Sequence, residues 1–453
     1  MSTRNDLQRA GSATAHASLE TQGAHLAPGT MDWEQLLSNA RLRGGAPTHS
    51  TEPRNEFERD YDRILFSTPF RRLMDKTQVF PMPEHDHVHN RLIHSLEVAS
   101  IGRSMGRLVG RDMSDDRSGV LGDVVASACL MHDIGNPPFG HAGEDAIASW
   151  FSRADNQALL ANLDARERAD LCAFEGNAQT FRSVARLAMY VGEGGMRLTL
   201  ATLAAAAKYP CAAQSPLYKK FNYFCDDAEL FAEVAQGVGL LSRGPGAWVR
   251  HPLVYLVEAA DDVCYTIMDF EDGAILRLID ERTARVQLAT LTGDPRRADR
   301  ASHSLSSLRA LAINALVKQC AAAFVEHEAA LLAGEAIPPL TKLIPARDDL
   351  GEIHRLSIAH CYRAAEVLRV ELAGYEVLGG LLDLLIPAVL AERPDARERK
   401  LLTLLRLEPP AAASPYQRIL AVTDRLSAMT DRYAVRLFRE LRGTQLAGAR
   451  GVD

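Results

Sequence analysis

Five side chains in one short stretch could do chemistry. In MHDIGNPPFGHAGED, residues 131–145, a His132-Asp133 pair follows an apolar run, and His141 and Glu144 lie a few residues on. Residues 124–131 are apolar and compatible with a helix, so the pair falls at a buried helix C-terminus, where Gly135, Asn136, Pro137 and Pro138 stop the chain. A buried imidazole and carboxylate need partners, because unpaired buried polar groups cost on the order of 1–3 kcal/mol or more. Taken alone, the pair is equally compatible with a capped turn.

Two further helical stretches carry matching side chains. His94 lies in NRLIHSLEVA, in a helix expected to begin near Asn90, among Leu92, Ile93 and Leu96. Asp261 lies in LVEAADDVCY, where adjacent Asp261 and Asp262 sit in a helix apolar enough to call for a cation. His94, His132, Asp133 and Asp261 make a nitrogen and oxygen donor set suited to Mn²⁺, Fe²⁺, Ni²⁺, Co²⁺ or Zn²⁺. Such a set leaves positions open for water and a phosphate oxygen, as metal-assisted hydrolysis requires. His141 and Glu144 are three apart and share a face if a helix starts there. They could carry a proton or hold an attacking water; capping of a turn and of the helix N-terminus is the structural alternative.

The composition limits what else the chain can be. Net charge is −7 over 453 residues, so a generally basic nucleic-acid surface is not expected, and cations for a polyanionic substrate must be local. Apolar residues make up 47%, enough for a substantial core. Seven cysteines without a CxxC pair argue against a thiolate zinc site and favour free thiols in a reducing cytoplasm. The longest apolar run, residues 377–391, is interrupted by Asp383 and Pro387 and reads as too short to span a membrane. No basic-then-apolar leader pattern opens the chain.

The elements that must position these groups are helical. Residues 1–53 are rich in Ala, Gly, Ser and Thr and read as a flexible arm, with MDWEQLL at 31–37 able to form a short docked helix. Onward from Arg54 helix-period patterns dominate, alternating strand patterns are scarce, and no Walker or Rossmann glycine motif occurs. The expected architecture is one all-α domain with a long C-terminal helical extension. Its apolar stretches at 381–390 and 401–405 suit either the core or a subunit interface.

On this ordered set of motifs the chain resembles a known family. FERDYDRILFSTPFRRLMDKTQVFP, RLIHSLEVA, HDIGNPPFGHAGE, FEGNAQTFR, YLVEAADDVCYTIMDFEDG and SAMTDRYA are similar to the deoxyguanosine triphosphate triphosphohydrolase (dGTPase) family of the HD-domain phosphohydrolases. The resemblance runs over about 54–443, with the HD domain at about 88–275 and a tail at 444–453. It implies cleavage of dGTP or another dNTP at the α-phosphorus, giving deoxynucleoside and tripolyphosphate, with a divalent ion such as Mn²⁺ or Mg²⁺. His94, His132, Asp133 and Asp261 match the metal ligands, and His141 and Glu144 the catalytic pair.

Tyr265 and Asp269 follow Asp261 at i+4 and i+8, on one helix face, and match the deoxyribose-reading positions; Gln78 matches a contact to the 3′-OH. Arg91, three residues before His94, faces the same site, and Lys208, Tyr209, Lys220 and Asn177 match further substrate positions. The resemblance also implies a homo-oligomer and a second activating dNTP site; single-stranded DNA is a separate candidate partner. The rival readings are an HD phosphodiesterase on another nucleotide and a nucleotide-sensing or single-strand-binding protein. His85, His87 and His89 fall outside the motifs and are expected on a surface turn.

Overall fold

A computed structural model of the chain describes residues 29–44, 53–79, 89–113, 115–189, 194–215, 217–408, 410 and 412–445. The architecture is all-α. One short antiparallel hairpin, Ser242–Gly244 with Ala247–Trp248, is the single sheet among the described residues.

Three helices position the candidate metal ligands. The Arg91–Asp112 helix starts where the Asn90 side chain accepts a hydrogen bond from Ile93 N–H, satisfying one of the donors that every helix start leaves open. It packs along the Ser118–Met131 helix. Gly102 and Gly106 allow the close approach: a Cβ on Gly106 would lie 2.7 Å from the Leu121 carbonyl oxygen, and one on Gly102 2.5 Å from Cys129 Sγ. The Val254–Ile275 helix lies against the Arg91–Asp112 helix, and the Leu305–Leu332 helix packs on both. Most of their facing side chains are fully buried, Val98, Met105, Val124, Leu130, Ala260 and Ile267 among them.

The C-terminal helices form a second apolar cluster with the Gly140–Ser152 helix, built on Trp150, Leu378, Leu385 and Leu420. The apolar stretches around 381–390 and 401–405 belong to this core. Trp150 Nε1 donates to Asp383 at 2.7 Å, and Arg182 donates to Asp424 at 2.8 Å, so polar contacts also join the two halves. Asp383 and Pro387 interrupt the apolar run but not the helix. They sit inside one helix, Ala365–Leu390, because the aspartate has an indole to accept from and the proline is in the last turn. This helix and Leu305–Leu332 are long and apolar enough to cross a membrane by length and composition; 61% and 44% of their most apolar windows are buried inside the protein.

Of the arm expected over residues 1–53, the described residues 29–44 are docked on the helical body. Residues 31–37 do form a docked turn of helix, Trp33–Leu36, and Met31, Trp33, Leu36 and Leu42 lie in the main core. Arg41 then fixes the segment by pairing with Glu56 and buried Asp60, both at 2.7 Å. Four well-spaced apolar residues and one arginine outweigh a polar composition once a groove is there to receive them.

Candidate active site

The helix ends bring His94, His132 and Asp261 together. Their nearest ligand atoms all lie within 4.8 Å of one another. His94 Nε2 is 3.2 Å from Asp261 Oδ1, and His132 Nε2 is 3.6 Å from the same oxygen. The imidazoles meet edge to face at 5.3 Å. His132 caps its helix, and its Nδ1 lies 2.6 Å from the Cys129 carbonyl oxygen. A carbonyl can only accept, so the proton is on Nδ1 and Nε2 of the neutral ring is a lone pair. That Nε2 is buried with no hydrogen-bond partner among the described residues. An orphaned buried lone pair aimed at two carboxylates is the donor arrangement of a divalent cation, with the second nitrogen fixed by a backbone carbonyl as metal-binding histidines usually are.

Asp133 lies on the same side, with Oδ1 3.5 Å from His132 Nε2. Its Oδ2 accepts from Arg91 Nη1 at 2.6 Å, and its Oδ1 accepts from Asn136 Nδ2. Burial opposes charge on both site aspartates. The Arg91 guanidinium nevertheless holds Asp133 below the usual carboxylate range, and Lys208, whose Nζ donates to Asp261 at 2.8 Å, does so for Asp261 together with the imidazoles. Asp262 faces elsewhere. It accepts from Thr341 Oγ1 at 2.9 Å, and burial next to Asp261 pushes it up to about 7. The adjacent acid is therefore met by a hydroxyl donor and a raised pKa rather than by the cation site.

A helix does begin at Gly140, so His141 and Glu144 share a face. His141 Nδ1 is 2.7 Å from Glu144 Oε2, and Gly176 N–H donates to Glu144 Oε1 at 2.8 Å. The His141 side chain is 60% exposed and the Glu144 side chain 8%. The carboxylate raises the pKa of His141. Burial works against charge on Glu144, but His141, Lys220 and the Gly176 amide bring it down to about 2. A buried anion thus holds one nitrogen of an accessible imidazole, which leaves the other nitrogen for a substrate.

The remaining positions divide. Lys220 sits 3.3 Å from Glu175 Oε2, and Asn177 donates to the same carboxylate. Tyr209 meets Tyr218 edge to face at 5.9 Å. On the other side of Asp261, Tyr265 O–H lies 3.2 Å from His354 Nδ1, and Asp269 accepts from Tyr362 at 2.8 Å. Burial pushes Asp269 up to about 7. Gln78 Oε1 is buried without a partner among the described residues. Arg91 is 6% exposed and committed to Asp133 and the Thr77 carbonyl, so it is placed to orient Asp133.

His89 is not on a surface turn. Its ring lies between Asp272 at 2.9 Å and Glu97 at 3.5 Å, and these carboxylates, against burial, push it up to about 10. His85 and His87 lie outside the described residues. Sequence reasoning singled out neither Glu175, Tyr362 nor His354. Glu175 stands inside FEGNAQTFR and could have been found there; His354 comes from the distant Arg347–His360 helix and Tyr362 from the turn that follows it, with no signal of their own.

Comparison with known proteins places this geometry. Residues 91–207 match the HD domain family, which takes in His94, His132, Asp133, His141 and Glu144 and ends before Asp261. A Synechocystis deoxyguanosinetriphosphate triphosphohydrolase-like protein is 41% identical over 92% of this chain and all of its own length. The chain belongs to the dGTPase family of HD-domain phosphohydrolases. A dGTPase-like protein of Pseudomonas aeruginosa is 39% identical over 91% of the chain and 99% of its own length. A deoxyguanosinetriphosphate triphosphohydrolase of Enterobacter is 31% identical over 85% and 93%. As a member of this dGTPase family the chain is a hydrolase, and its His-His-Asp cluster has the donors of an HD metal site.

Proposed function

We propose that this protein hydrolyses dNTPs, with dGTP the leading substrate, to deoxynucleoside and tripolyphosphate. The observation that carries the reading is the unpartnered, buried Nε2 of His132 facing Asp133 and Asp261, beside an accessible His141 held by Glu144. A divalent ion (Mn²⁺, Mg²⁺, Co²⁺, Fe²⁺, Ni²⁺ or Zn²⁺) bound by His94, His132, Asp133 and Asp261 would supply Lewis acidity toward an α-phosphate oxygen and an acidified water.

The chain's own residues do the rest. His141, protonated and oriented through Nδ1 by Glu144, gives its other proton to the leaving 5′-oxygen. Lys220, 29% exposed, exchanges its Glu175 partner for the triphosphate, with Asn177 and Tyr209 alongside. Lys208 balances Asp261. Tyr265, Asp269 and Gln78 form the sugar site, and Tyr362 joins them because its hydroxyl donates to Asp269. The free thiols of all seven cysteines suit a reducing cytoplasm.

Product analysis tests the reaction. The protein is incubated with Mn²⁺ or Mg²⁺ and each dNTP, singly and mixed, beside Asp133→Ala, and the products are resolved by ion exchange. Deoxynucleoside plus tripolyphosphate from the parent alone is expected. Pyrophosphate or orthophosphate as the first product would replace α-phosphorus attack by another cleavage, and intact dNTPs throughout would overturn the substrate assignment.

A further inference from the structure

The motif SAMTDRYA lies far from the metal-ligand helices in sequence, yet its polar groups reach the turn that carries Asp133 and His141. Asp431 is 2% exposed and opens the Asp431–Arg442 helix. Its Oδ1 accepts from Phe139 N–H at 3.1 Å and its Oδ2 from Thr77 N–H at 2.9 Å. Phe139 has φ +66°, unfavourable for a residue with a side chain, and immediately precedes the helix of His141 and Glu144. Thr77 returns the connection to the metal side: its carbonyl accepts from Arg91 Nε at 2.9 Å, and Arg91 Nη1 holds Asp133. A second strap runs in parallel. Buried Lys76 donates to the carbonyls of Ser427 at 2.7 Å and Asn136 at 2.6 Å, and the Asn136 amide holds the other oxygen of Asp133.

We infer that Asp431 is a positioning residue that sets the His141–Glu144 pair and the Asp133 side of the metal site in register, so that the C-terminal helices are part of the catalytic apparatus. The inference rests on the proposed reading of those groups. One carboxylate can receive two N–H donors on separate oxygens, whereas a carboxamide can accept on one oxygen only and meets the second donor with its own N–H. Asp431→Asn therefore keeps size while releasing either Thr77 or Phe139.

The test compares Asp431→Asn with Thr430→Ala. Thr430 caps the same helix by accepting from Tyr433 N–H at 3.3 Å and does not enter either strap. Mn²⁺ affinity is measured by calorimetry with the metal alone, kcat and KM with dGTP, and the folded fraction by circular dichroism. For Asp431→Asn, kcat per folded molecule is expected to fall about tenfold or more with KM within about threefold, and Mn²⁺ to bind about tenfold more weakly. Thr430→Ala is expected to lower thermal stability only. Parent-like kcat and Mn²⁺ affinity in Asp431→Asn, or losses matched by Thr430→Ala, would overturn the inference. If the parent hydrolyses no dNTP, the functional reading fails by itself, and the Mn²⁺ measurement still decides the coupling.

Discussion

Gly140→Ala is the perturbation whose magnitude the structure defines best. Gly140 has φ +58°, and a Cβ placed there would lie 2.4 Å from Arg91 Nη2. The backbone contribution alone is about 1–2 kcal/mol for a side chain in the left-handed region. The steric contribution is larger. Arg91 cannot swing into solvent, being 6% exposed, and retreat of its guanidinium weakens the 2.6 Å pair with buried Asp133. Breaking a buried pair costs about 3–5 kcal/mol. Gly293→Ala is the control, since Gly293 has φ +77° and a Cβ there meets nothing within 4 Å. Urea midpoints are expected to put Gly140→Ala about 3 kcal/mol or more below the parent and Gly293→Ala about 1 kcal/mol below. Calorimetry should show Mn²⁺ binding weakened about tenfold in the first variant only, because Asp133 has lost the group that orients it. Equal midpoints for the two variants, with parent-like Mn²⁺ affinity in both, would refute the role given to Arg91.

Four further outcomes are expected. Glu144→Gln removes the leading cause that raises the pKa of His141; the imidazolium is then lost at lower pH, so the alkaline limb of the kcat/KM profile for dGTP should move to lower pH, and an unmoved limb would exclude His141 as the general acid. Mn²⁺ at a hundredfold excess over its Kd should stabilise the parent by about 2.7 kcal/mol in thermal melts, and chelator should reverse this. His132→Ala removes the orphaned nitrogen and should abolish most of that stabilisation, whereas a full Mn²⁺ response would place the ion elsewhere. Leu36→Ala, at a position with no exposure, should cost about 2–5 kcal/mol in urea unfolding if residues 31–42 belong to the core, and a change under about 0.5 kcal/mol would return them to a loosely attached arm.

What the sequence determined by itself is local. The Asn90 cap, the stop after His132 and the shared face of Asp261, Tyr265 and Asp269 follow from short-range spacing, because capping and helical period act over a few residues; the helix that puts His141 and Glu144 on one face was a condition there, and the structure meets it at Gly140. The three groups that the structure gathers, His94, His132 and Asp261, were legible as candidates for the same reason: each is a titratable group in, or at the end of, an apolar helix. Tertiary structure decided which groups each of them meets. Arg91 looked like a phosphate ligand and became the clamp on Asp133; His89 looked superficial and is enclosed by Asp272 and Glu97; Asp262 looked like a partner of Asp261 and faces Thr341. The docking of residues 31–42 and the reach of Asp431 to Thr77 and Phe139 likewise depend on surfaces assembled from distant parts of the chain. A side chain's type and spacing establish what it can bind. Its partner is set by packing between segments that are often tens to hundreds of residues apart, and no local pattern encodes that distance.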